Sequence, residues 1–287
     1  MVTYESRLTL SFMSRSARIS SGRKPVLAAG LAAATLSALI LSPVTAASAT
    51  GNGALSVFKH CPIGNKKVTL CMSATTTGGE FAISSTTLTL STPITIIMGL
   101  YPKGDTGELE MVAPTDGTPL LSAQPIPVSI EGISGLLTAT PEILSLGLVN
   151  IGNFLTGDGP ALPLPLQVLL SGPASAGLGS DCTIGDAANP LAVDVTTGTT
   201  DPPPPNTPIS GTIGTGTFHP SSGEISYVGT TVVDNSFSVP GAYNCGPLGI
   251  LDPVLNAYEG FPSASGNNTA IMTLNDGIIP AGTLRSR

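Results

Sequence analysis

Glycine and proline punctuate this chain so densely that a long helix has nowhere to run. Its 287 residues include 34 glycines and 26 prolines, and inside a helix these cost about 1 and about 3 kcal/mol relative to alanine. Between the breaks lie short runs rich in Thr, Val and Ile, as in Lys67 to Thr75, Glu80 to Ile83, Thr86 to Leu90 and Pro93 to Met98. β-Branched residues crowd a helix and suit a pleated strand, so these runs predict strands. Further candidates are Glu108 to Val112, Gln124 to Ile130, Leu164 to Leu170, Leu191 to Thr196, Gly223 to Val233 and Thr269 to Leu274. From Thr86 to Leu90 hydroxyl and apolar side chains alternate with the period of two expected of a half-buried antiparallel strand. The connections are too short for the helical crossovers that parallel strands need. The expected class is all-β and mainly antiparallel, a β-sandwich-like fold of one or two units with one or two short helices.

Two stretches break the pattern. Thr140-Pro141-Glu142 places a capping hydroxyl, a helix-starting proline and an acid before the uncharged run Ile143 to Leu155, which predicts a helix weakened by Gly147 and Gly152. Asp252-Pro253 predicts a second short helical turn toward Tyr258 by the same logic. Residues 200–208, with four consecutive prolines, predict extended polyproline II, either a linker or a rigid crossover. The exported chain then divides into a β-rich unit at 50–135, an apolar helical connection at 136–163 and a β-rich unit at 164–287 that carries the crossover. A faint internal echo sets Gly79 to Ile83 plus Thr86-Thr87-Leu88 against Gly223 to Tyr227 plus Thr230-Thr231-Val232.

The first 49 residues read differently. Arg15, Arg18, Arg23 and Lys24 precede an uncharged apolar run from Val26 to Leu41, closed by Ser42-Pro43 and a small-residue stretch. That run of 16 residues is shorter than the roughly 20 that span a bilayer, so 1–49 predicts a cleaved signal peptide that leaves no transmembrane anchor. The cleavage expected after Ala47-Ser48-Ala49 removes five of eleven basic residues and one of eighteen acidic ones, leaving six against seventeen. Such an acidic balance repels phosphate backbones, so nucleic acid is excluded as a partner. The four cysteines, Cys61, Cys71, Cys182 and Cys245, lie in the exported part, where oxidising surroundings favour two disulfides. If Cys61 and Cys71 oppose each other across a hairpin, its centre is Lys66 and its loop about five residues long, which leaves Cys182 for Cys245.

Catalytic chemistry finds little to stand on. A triad needs a general base, and the exported chain has only His60, beside a half-cystine, and His219, before Pro220; neither sits in a nucleophile-elbow motif. The carboxylates Glu80, Glu108, Glu110, Glu131, Glu142, Glu224 and Glu259 are expected as solvated surface charge. Asp105 with Glu108 and Glu110, or Asp181 with Asp186, would gather oxygen ligands on loops, but neither set matches an EF-hand. No cofactor is expected, and the chain has no Trp, which argues against a sugar-binding platform.

Phe58-Lys59-His60-Cys61-Pro62, Leu70-Cys71, Thr197-Gly198-Thr199-Thr200, Asp234 to Gly241, Asn244-Cys245-Gly246 and Gly266 to Ala270 together resemble an uncharacterised family of secreted actinobacterial proteins. The resemblance covers most of the exported chain and implies export from a Gram-positive, high-GC bacterium; it implies no activity and no site. We read the chain as a noncatalytic secreted or cell-surface protein, released or held noncovalently at the cell wall, acting on an unknown envelope or extracellular partner or as an envelope component. The alternatives are an extracellular hydrolase and a carrier of an apolar ligand under the segment Ile143 to Leu155. Converging Glu, Ser or His side chains in a pocket favour the first, and an apolar cavity favours the second.

Overall fold

The computed structural model describes residues 54–84, 86–129 and 137–287; the signal segment expected at 1–49 lies outside them. In chain order the strands are β1 (Leu70–Ile83), β2 (Thr86–Thr89), β3 (Ile94–Pro102), β4 (Leu109–Val112) and β5 (Leu121–Ala123). Then come β6 (Ile126–Val128), β7 (Leu137–Ile143), β8 (Leu148–Val149), helix α1 (Ile151–Thr156), β9 (Leu162–Ser171), β10 (Thr183–Ile184) and β11 (Leu191–Val195). The chain ends through β12 (Thr215–His219), β13 (Glu224–Asp234), β14 (Ala242–Tyr243), α2 (Asp252–Glu259), β15 (Asn268–Pro280) and α3 (Ala281–Arg285). The large sheet runs β12-β13-β15-β1-β3-β4-β8, with β2 beside the far half of β1 and β5 beside β3; the small sheet runs β14-β10-β9-β7-β6, with β11 also on β9. Every ladder between these strands is antiparallel.

The inner faces of the two sheets share one apolar cluster. Met72 and Ala74 of β1 with Met272 and Leu274 of β15 join Leu164 and Leu166 of β9 and Val193 of β11, the layered arrangement of a sandwich. The segments 50–135 and 164–287 do not build separate sheets: β1 pairs along its whole length with β15, and the described residues fall in one compact unit.

On the outer face of the large sheet a second, smaller layer is closely packed. Successive strand residues point to opposite faces, so Met72 looks inward while Cys71 looks outward, where it clusters with Phe58, Cys61, Val68, Ile279 and Ala281. Cys61 and Cys71 are disulfide-bonded, with Cα atoms 5.9 Å apart. Gly99 lies opposite Cys71, and a Cβ there would stand 2.8 Å from Pro62 and 2.9 Å from Val68. From α3, Arg285 reaches back and donates to the carbonyls of Ile63, Asn65 and Val68 at 2.9, 2.8 and 2.8 Å. The chain's C-terminal helix thus clamps the loop that its first disulfide closes.

Four expectations change. The helix expected from Thr140 is strand β7 up to Ile143, and the helix that does form, α1, is confined to Ile151–Thr156 by Asn150, which caps it by accepting from Asn153 N–H, and by Gly157 at φ 76°. Thr-Pro-Glu therefore reads as a helix start, yet Thr140, Pro141 and Glu142 pair with Leu169, Val168 and Gln167 of β9. Strand β9 also begins earlier than expected and runs through Pro163 and Pro165. These prolines pair with Asp194 and Ala192 of β11, whereas β7 reaches only to Leu166. The carbonyl of Pro165 faces away from β11, where it accepts from Leu144 N–H just past the end of β7, so the prolines sit where the β7 ladder runs out.

The third change concerns the cysteines. The pairing is as expected, Cys61 with Cys71 and Cys182 with Cys245, but no hairpin joins the first pair. Both sides of β1 at Cys71 are occupied, by Ile279 of β15 and Gly99 of β3, so residues 59–68 lie over the sheet face instead of beside it. The second pair ties the end of β14 to the start of β10, where Thr183 opposes Tyr243. The fourth change is the echo: a turn at Ser84 reverses the chain in the first block, but β13 runs straight through the second. The proline-rich stretch is a pinned surface loop. Thr200 N–H donates to Ile209 O at 2.9 Å, and the Asn206 side chain donates to Asn235 O and Asn268 O at 2.9 and 2.8 Å.

Candidate functional site

The inner faces of the two sheets leave a cavity of about 480 Å³. Native cores leave few voids larger than a water molecule, and small-molecule pockets span roughly 300 to 1,000 Å³. Its walls are aliphatic: Met72, Ala74 and Leu274 from the large sheet, Ala139, Leu166 and Val193 from the small one. The alternation of β9 and β11 makes this wall, since Leu162, Leu164 and Leu166 point inward and Pro163 and Pro165 outward. Ile151 and Phe154 of α1 also line it, so the apolar run singled out in the sequence does border an apolar cavity. The lining follows β1 from Met72 to Ile83, no more than about 36 Å at ordinary strand rise.

Polar groups gather where the cavity meets solvent. Thr86, Thr87 and Thr89 of β2 line it and are exposed, as are Pro127 and Ser129 beside them. Glu259, in the last turn of α2, lines the same end. It is only 7 % exposed, contrary to the surface charge expected of it, and accepts a 2.8 Å hydrogen bond from the Thr86 hydroxyl. It is the one ionisable residue among the described lining residues. Helix α2 arises as expected from Asp252-Pro253, with Asp252 accepting from Cys245 N–H. It buries Leu255 and Glu259, while Val254 and Tyr258 stay exposed, next to the fully exposed Leu248 and to Ile250.

The sequence-level candidates are scattered. His60 Nδ1 contacts Asp116 at 2.7 Å and Thr118 at 3.0 Å, which holds the Asp116 carboxyl down at about 2 and ties the loop before the first disulfide to residues 116–118. His219 Nε2 lies 3.0 Å from Ser226 Oγ across the β12–β13 hairpin, the contact of a base and a hydroxyl. No hydrogen bond joins its ring to Glu224, which is buried opposite it and whose pKa burial pushes up. Neither residue lines the cavity, so the pair lacks an orienting acid and a chamber for a substrate. Asp186 is spent on a turn, its carboxylate accepting from Ala188 and Asn189. Among the described residues no three His, Cys, Asp or Glu side chains gather as a metal site; Glu131 lies outside them.

Two further buried acids, Asp234 and Asp276, stand apart from the cavity. Asp276 on β15 accepts from the Thr230 hydroxyl at 2.7 Å, its other oxygen has no partner, and burial raises its pKa to about 6. The sequence reading placed Glu224 and Glu259 at the surface although both are buried, and it did not single out Asp276. For Asp276 a signal existed, an acid at an inward position of the alternation Ala270, Met272, Leu274; for Glu259 the spacing of four from Leu255 placed it on the buried side of α2. Compared with known proteins, the chain matches no protein-family model, no curated protein and no solved structure.

Proposed function

We propose that this is a secreted, noncatalytic protein that carries an apolar ligand between its two sheets. The observation behind this reading is the 480 Å³ cavity with its aliphatic lining. Left empty, an apolar void of that size costs on the order of 10 kcal/mol at the slope of about 24 cal/mol per Å³ found for core truncations. That equals the whole net stability of an ordinary domain. Water offers little relief deep between the sheets, because a buried water needs several polar partners and the walls there are almost wholly aliphatic. An alkyl or isoprenoid ligand restores the missing contacts. Export is supported by the expected signal peptide and by two disulfides, and the family resemblance supports an origin in a Gram-positive, high-GC bacterium.

The test is native mass spectrometry of the purified protein after incubation with a total lipid extract of such a bacterium and removal of free lipid. The expected spectrum shows one added apolar mass per chain, released by organic solvent. A spectrum of unliganded protein only, at saturating extract, would overturn the carrier reading.

A further inference from the structure

The cavity's open end carries a chemical preference. Glu259 is a carboxylate with little access to water, and it sits in the last turn of α2, where the helix carbonyls present the negative end of the helix dipole. No cation is paired with it among the described residues, where the sole ion pair is His60 with Asp116. An ionised carboxylate accepts roughly four hydrogen bonds, and Thr86 provides one. Such a group gains from any donor brought to it and repels any second anion. The neighbouring rim residues Thr86, Thr87, Thr89 and Ser129 are hydroxyl-bearing and uncharged, so no described lining residue offers a positive charge to a negative head group.

We infer that the ligand is a long-chain amphiphile whose head group donates a hydrogen bond, a hydroxyl or a protonated amine, received by Glu259 at the open end of the cavity while the chain runs inward between the sheets. Fatty carboxylates are rejected. The inference rests on the carrier reading: without an apolar occupant, Glu259 has no head group to select.

Displacement of the neutral fluorophore N-phenyl-1-naphthylamine by ligands of equal chain length tests both and separates them. Dodecanol, dodecylamine and dodecanoate are titrated against the probe-loaded protein, each below its micelle concentration, at about pH 7, where the amine is charged and the acid ionised. The expected result is that dodecanol and dodecylamine displace the probe at concentrations at least about tenfold lower than dodecanoate, the order of difference that one unpaired buried charge makes. In Glu259→Gln, which keeps an acceptor for Thr86 but drops the charge, dodecylamine loses its advantage and dodecanoate comes within about threefold of dodecanol. Equal displacement by dodecanoate and dodecanol in the unaltered protein would overturn the head-group inference and leave the carrier reading standing. Failure of the probe and of all three chains to bind would remove the carrier reading itself. The unaltered protein alone decides the first question, so the result does not hang on the folding of the variant.

Discussion

Cys71 and Met72 are neighbours on one strand, and they face opposite kinds of interior. Outward from Cys71 the packing is so close that Gly99 has no room for a methyl group; inward from Met72 the walls stand back from a 480 Å³ cavity. Both sides are apolar and both are closed by a disulfide nearby, so composition does not separate them. The difference lies in what each side must hold. The outer layer joins the two ends of the described chain, residues 54–68 and α3, and its contents are all its own residues. The inner one is walled by strands whose alternation presents Leu, Val and Ala to a gap they do not fill, and its lining includes a rim of hydroxyls and the buried Glu259. On the carrier reading, the face left hollow is the one that receives a ligand.

The largest effect expected bears on the bridges that frame the two sides. In the chain-entropy account, the Cys182–Cys245 link, with a sequence separation of 63, contributes about 4 kcal/mol and the Cys61–Cys71 link, with a separation of 10, about 3. Cys245→Ser is therefore expected to lower the denaturation midpoint more than Cys71→Ser in parallel urea titrations. The reverse order would mean that the close-packed outer layer, and not the sandwich, anchors the fold.

Asp276 offers the next test, since it lies on β15 between the inner residues Met272 and Leu274 and the outer-layer residue Ile279. Its pKa rises from the ordinary 3.8 to about 6 in the folded protein. Between these values the folded chain binds the proton more tightly than the unfolded one, so stability falls as pH rises from about 4 to about 6 and stays lowered above. A rise of that size corresponds to no more than about 3 kcal/mol. Asp276→Asn is expected to remove that slope and to stabilise the protein at neutral pH; an unchanged pH profile of unfolding would show that the carboxylate is not confined as described.

The contrast in packing itself is tested by two enlargements. Gly99→Ala forces a methyl group against Pro62 and Val68 and is expected to destabilise by about 1 to 3 kcal/mol. Ala139→Phe, in the cavity wall, is expected to leave stability unchanged or to raise it by about 1 kcal/mol, as cavity filling does. Equal losses from both would show the interior to be as full as the outer layer. The smallest effect concerns the clamp: Arg285→Ala removes three charge-assisted bonds to loop carbonyls and is expected to cost about 1 to 2 kcal/mol. Faster amide hydrogen exchange at residues 61–69 should accompany it, with β9 unaffected.

Much of this was legible in the sequence and some of it was hidden for definite reasons. Thr and Val periodicity located most long strands, and the Asp252-Pro253 start located α2, because both signals are local. The prolines of β9 concealed its first two residues, Leu162 and Pro163, since only the reach of β7 shows where its ladder to β9 ends. Thr140-Pro141-Glu142 misled because a cap motif says how a helix would begin and nothing about a strand waiting to pair. The cysteine pairing is as expected, but the hairpin from which it is argued does not form, as β1 is flanked at Cys71 by β15 and β3. The cavity had the least trace. It is made by volumes missing between Ala74, Ala139 and Val193, residues that meet only through the sheet topology.

Whether the space between the sheets is a ligand site is decided most directly by titration with N-phenyl-1-naphthylamine. Saturable binding at one site per chain is expected, with the blue-shifted emission of an apolar environment, and that binding should be lost in Ala139→Phe without loss of the folded state. Absence of saturable binding, or binding that Ala139→Phe leaves intact, would contradict a ligand site between the sheets.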